Sequence, residues 1–93
     1  MDSLEEMRKS IDNIDNAIVA MFAERFKVTD RVGQYKAENG LPAKDLTREA
    51  SQYQRISELA EQYGLDPEFA ISYLSAVIEK VIQNHQNIAG ELR

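Results

Sequence analysis

Leu4, Met7, Ile11, Ile14, Ile18, Met21, Arg25, Val28, Val32 and Tyr35 recur at alternating steps of three and four residues. Only Arg25 in this row is charged. Kept up for more than four heptads, such a row is the a/d seam of one long helix packed against other helices. The alternation of period two that marks a half-buried strand is nowhere present. The chain therefore reads as all-α.

Two breaker clusters interrupt the helical pattern. In Gly40-Leu41-Pro42 the glycine suits a helix C-terminus, and the proline disfavours helix at Leu41. In Gly64-Leu65-Asp66-Pro67 a second C-terminal glycine is followed by an N-cap and by proline at the first helical position. Three helices are predicted, over about 3–39, 46–63 and 67–90, forming a single domain over 1–93. The third carries its own seam of Ile71, Leu74, Ile78, Val81, His85, Ile88 and Leu92. The second is shorter, with Tyr53, Ile56, Leu59, Ala60 and Tyr63 on its apolar face.

The first helix would run ~54 Å at ~1.5 Å per residue. A compact chain of 93 residues has a radius of gyration near ~12 Å. Two shorter helices of the same chain cannot cover such a rod. An intertwined homodimer is expected; the alternative is a monomeric bundle with the helix bent or broken near Gly33.

Composition limits the function. The chain has no cysteine and one histidine, so disulfides, thiolate metal sites and Cys nucleophiles are out, and a zinc site or a Ser-His-Asp triad lacks its residues. No metal or cofactor is expected. The net charge of −5 argues against nucleic acid and anionic membranes. No run approaches the ~20 apolar residues of a membrane span, and Met1–Glu6 lacks the apolar stretch of a signal peptide. A cytoplasmic protein is expected. The charge is uneven, however. Residues 1–55 hold nine Lys/Arg against ten Asp/Glu, whereas 56–93 hold two against six.

The cations fall at telling positions. A charge within an apolar seam is costly unless paired, so Arg25 either snorkels to solvent, pairs with a Glu of the second helix, or meets a ligand. Lys36, eleven residues on, returns to within ~20° of the same face at ~100° per residue. Arg8 lies ~25 Å along the axis from Arg25, and reaches its pocket only from an antiparallel partner. At the start of the second helix Asp45, Arg48, Glu49 and Gln52 are spaced i, i+3, i+4, i+7 on one polar face. Asp45 also suits an N-cap. Arg25, Lys36, Arg48 and a partner's Arg8 suit a small dianion, because guanidinium forks bind carboxylates bidentately. Asp45 and Glu49 can accept from a hydroxyl. With no nucleophile or cofactor motif, any chemistry proceeds by positioning and electrostatics.

These residues carry a resemblance. Leu4 to Asp15 with Arg8, Ala23-Glu24-Arg25, Val32-Gly33-Gln34-Tyr35-Lys36 and Pro42-Ala43-Lys44-Asp45-Leu46-Thr47-Arg48-Glu49 together resemble the all-helical chorismate mutases over roughly residues 4–88. The resemblance implies an intertwined dimer with two shared active sites and the Claisen rearrangement of chorismate to prephenate, on the route to Phe and Tyr. It implies that Arg25 and the partner's Arg8 hold carboxylates, and that Lys36 contacts a carboxylate and the ether oxygen. Asp45 and Glu49 would hold the ring hydroxyl, Arg48 would order the site, and Gln52 shares their face. Two positions depart from the family pattern. Val81 stands where a Ser often assists a carboxylate, and His85 where a Gln commonly donates to the ether oxygen. Isochorismate-pyruvate lyases share the fold and a similar pocket, and a non-catalytic helical dimer is a further alternative.

Overall fold

A computed structural model describes residues 3–91, and these form three helices and no strands. Helix α1 spans Leu4–Glu38, α2 Leu46–Gln62 and α3 Pro67–Glu91. Each bound lies within one residue of the expected one. Leu92, the last member of the α3 seam, lies outside the described residues.

The helix ends follow from local chemistry. Ser3 caps α1, its hydroxyl accepting from the Glu6 amide at 3.1 Å. Both C-termini close with the same motif. At α1 the Leu41 amide donates to Lys36 O at 2.8 Å and the Gly40 amide to Ala37 O at 3.4 Å. At α2 the Leu65 and Gly64 amides repeat the pattern onto Ala60 O and Glu61 O. This pair of bonds requires a left-handed residue just past the helix, and Gly40 and Gly64 supply it at φ +65° and +71°. Asp66 then opens α3, accepting from the Glu68 amide at 3.0 Å ahead of Pro67.

Helix α1 is continuous through Gly33 and is not broken there. Helix α3 packs against both α1 and α2, while α1 and α2 do not pack against each other. It runs parallel to α1: Phe22 meets Tyr73 with ring centroids 5.6 Å apart, Thr29 meets His85, and Gly33 meets His85 and Ile88. The short 63–66 turn makes α2 and α3 an antiparallel hairpin. A groove is left between α1 and α2, floored by α3.

The core is thin. Among the described residues only Ala60, Ala70, Leu74, Val77 and Ile78 are buried apolar side chains. The molecule measures 58 × 25 × 14 Å, close to one layer of helices. From Ser3 to Met21 every residue of the first helix and its cap is exposed, including the seam residues Leu4, Met7, Ile11, Ile14, Ile18 and Met21. No described helix is long and apolar enough to cross a membrane.

Candidate active site

The groove between α1 and α2 deepens into a cleft of about 430 Å³. That lies within the range of small-molecule sites. Three segments bring its polar groups together. Helix α1 supplies Arg25 and Lys36, eleven residues apart on one face and both half-buried. The first two turns of α2 supply Arg48, Glu49 and Gln52, with Asp45 just before them. Helix α3 supplies Val81 and His85. The apolar surface includes Val28 and Val32 of the α1 seam and Ile78 of the α3 seam, with Ile82 beside it. Eight of the nine expected site residues thus meet in one place. Arg8 does not: it is exposed on the uncovered half of α1.

The cations of the cleft have no carboxylate of their own. Among the described residues the salt bridges are Lys9–Glu5, Lys27–Glu24 and Lys44–Glu49. Arg25, Lys36 and Arg48 take part in none, so an internal ion pair does not explain the charge in the α1 seam. The Lys36 ammonium donates to Ala43 O at 3.3 Å, which ties the end of α1 to the 39–45 connection. Three cations against Asp45 and Glu49 leave the lining at 3 − 2 = +1.

Both carboxylates are partly committed. Asp45 caps α2, Oδ1 accepting from the Arg48 amide at 3.0 Å. Glu49 is largely buried and pairs with Lys44, whose ammonium lies 3.0 Å from Oε2 and donates to Oε1 at 3.3 Å. The Oε2 contact lacks hydrogen-bond alignment, so that oxygen is ion-paired but has no hydrogen bond. A buried carboxylate oxygen with a free lone pair can accept from a ligand hydroxyl.

Among the described residues His85 is the one buried polar side chain. Its Nε2 lies 2.7 Å from Thr29 O, and because a carbonyl only accepts, Nε2 donates. The ring sits against the α1 backbone at Gly33, where a Cβ would come 2.5 Å from Cδ2. Nδ1 is buried without a hydrogen-bond partner. Leaving such an atom unpaired costs about 1–3 kcal/mol.

Sequence reasoning had not singled out Lys44, Thr29 or Gly33 as parts of this site. Lys44 adjoins the Asp45 to Gln52 face, and its spacing from Glu49 was a usable signal. The Thr29 contact rests on a backbone carbonyl and leaves no signature in residue types.

Comparison with known proteins places the chain in a family. A model of the family described as chorismate mutase type II matches residues 7–86. A chorismate mutase of Methanocaldococcus jannaschii is 35% identical over 85% of this chain and 80% of its own length. A bifunctional chorismate mutase/prephenate dehydratase of Buchnera aphidicola is 30% identical over 94% of this chain but 23% of its own length. A T-protein of Haemophilus influenzae is 32% identical over 70% of this chain and 17% of its own. The chain thus spans most of the first relative and less than a quarter of the other two.

Proposed function

The chain belongs to the chorismate mutase type II family, and from that premise we propose that its cleft converts chorismate to prephenate within a homodimer. The observation that carries this reading is the convergence of Arg25, Lys36 and Arg48 on one cleft, none of them in a salt bridge among the described residues. Uncompensated cations, two of them (Arg25 and Lys36) half-buried, suit a dianionic ligand.

The reaction is unimolecular. One C–C bond forms as the ether C–O bond breaks, with no nucleophile and no co-reactant. The protein has two tasks: to hold the substrate in its reactive conformer, and to stabilise negative charge growing on the ether oxygen. We assign the carboxylates to Arg25, Lys36 and Arg8 of the partner subunit. Lys36 and His85 face the ether oxygen. Glu49 and Asp45 take the ring hydroxyl, Arg48 and Gln52 order that end, and Val81 contributes apolar wall.

The dimer is supported by the uncovered half of α1. Its seam is an apolar row too long for the remaining helices, and a second long helix laid antiparallel would cover it. The same arrangement would carry the partner's Arg8 toward the cleft, ~25 Å from Arg25 along its own helix.

The test is turnover. The protein is incubated with chorismate and, separately, with isochorismate, and prephenate and pyruvate are followed. Prephenate from chorismate, lost in Arg25→Ala, is the expected result. Pyruvate from isochorismate alone would transfer the cleft to lyase chemistry, and no turnover of either would end the enzymatic reading.

A further inference from the structure

Three observations converge on the single imidazole of the chain. Its Nε2 is committed to Thr29 O at 2.7 Å. Its Cδ2 edge is seated on Gly33, where a side chain would come 2.5 Å from Cδ2 and 3.2 Å from Cγ. Nδ1, on the opposite edge of the ring, is buried with no partner, and the residue lines the cleft. Thr29 and Gly33 therefore act as positioning residues. They decide which nitrogen carries the proton of a neutral ring, and they leave Nδ1 as the ring nitrogen without a partner.

We propose that His85 engages the dianionic ligand as an imidazolium, through an Nδ1–H that it acquires when the ligand binds. The proposal rests on the mutase reading. In the neutral ring with the proton on Nε2, Nδ1 is a bare acceptor. A carboxylate or ether oxygen is also an acceptor, so the two lone pairs repel. Only a second proton turns Nδ1 into a donor, and that proton adds positive charge where the substrate concentrates negative charge.

The charged groups that line the cleft with His85 are Arg25 and Lys36 from α1 and Asp45, Arg48 and Glu49 at the start of α2. Asp45 caps α2 and Glu49 is paired with Lys44. The other cleft residues of α3, Ile78, Val81 and Ile82, are uncharged. A bound dianion adds negative charge beside the ring, which favours a second proton on it. Binding then weakens as pH rises, since the proton must come from solvent.

Because the chain has one histidine, its imidazole nitrogens are read without ambiguity by 15N NMR. At neutral pH the free protein should show Nε2 protonated and Nδ1 bare. Saturation with prephenate, which binds as product and does not turn over, should protonate both. Calorimetry in buffers of different ionisation enthalpy should find uptake of about one proton per site, abolished in His85→Gln. Binding with Nδ1 still bare, or equal uptake by His85→Gln, overturns the proposal and leaves His85 as a clamp between α1 and α3. A free ring already doubly protonated at neutral pH, or carrying its proton on Nδ1, also overturns it. Failure of prephenate to bind would remove the proposal together with the mutase reading, which separates the two failures.

Discussion

Replacing Gly33 with alanine sets two effects of opposite sign against each other. Alanine in a helix interior is favoured over glycine by about 1 kcal/mol. At position 33 the new Cβ would lie 2.5 Å from His85 Cδ2 and 3.1 Å from Ile88 Cδ1. To reach an ordinary contact of 3.4 Å the imidazole must retreat by about 0.9 Å. A retreat of that size stretches the 2.7 Å bond to Thr29 O out of hydrogen-bonding range. Overpacking costs about 1–3 kcal/mol, and the lost bond about 1 kcal/mol. Less the helical gain, Gly33→Ala should destabilise by about 1–3 kcal/mol. Gly90→Ala is the matched control, a helical glycine with nothing within 4 Å of the added carbon. It should be neutral or stabilise by up to about 1 kcal/mol. Urea unfolding at one fixed protein concentration measures both, the concentration being held because the stability of a dimer would depend on it. The midpoints should move in opposite directions at unchanged slope. A Gly33→Ala midpoint equal to that of Gly90→Ala would falsify the close seating of His85 on α1.

Arg25→Met should lower kcat/KM for chorismate by about 10²–10³-fold while leaving the urea midpoint unchanged or raised, because no carboxylate is orphaned by the loss. A fall in stability of several kcal/mol would show instead that Arg25 holds a structural ion pair. Ile14→Asp, on the uncovered half of α1, should convert the proposed dimer to monomer in sedimentation and abolish turnover; a dimer of unchanged affinity would place the interface elsewhere. Lys44→Met should raise KM about 3–10-fold, since Glu49 loses the ammonium that orients it. Its stability should shift by less than about 1 kcal/mol, because Lys44 is more than half exposed. An unchanged KM would mean that Glu49 needs no such partner.

The sequence was legible where local rules act. The two glycines with left-handed backbone, the Asp66-Pro67 start and the unbroken three-four spacing located the helices, because each is decided within one turn of chain. The Arg25 and Lys36 pairing was legible for the same reason: eleven residues is a property of one helix. That Asp45 serves as an N-cap also followed from its neighbours. What stayed hidden is what depends on distant packing. The bond from His85 to Thr29 O joins residues 56 apart in sequence and ends on a backbone atom, so no residue pattern encodes it. Gly33 read as a point where α1 could bend; in the structure it gives clearance for a ring against a continuous helix. Arg8 belongs to neither group, since its proposed site is on another chain.

The lack of packing between α1 and α2 has a mechanical consequence. Across the cleft the two helices are joined only through α3, the 39–45 connection and the Lys36 tether to it. An anion held at once by Arg25 and Lys36 on one side and Arg48 on the other would be a strut in a frame that otherwise lacks a cross-member. Its binding energy would then stiffen the frame as well as fill the site. Occupied and empty forms should differ in compliance more than in shape.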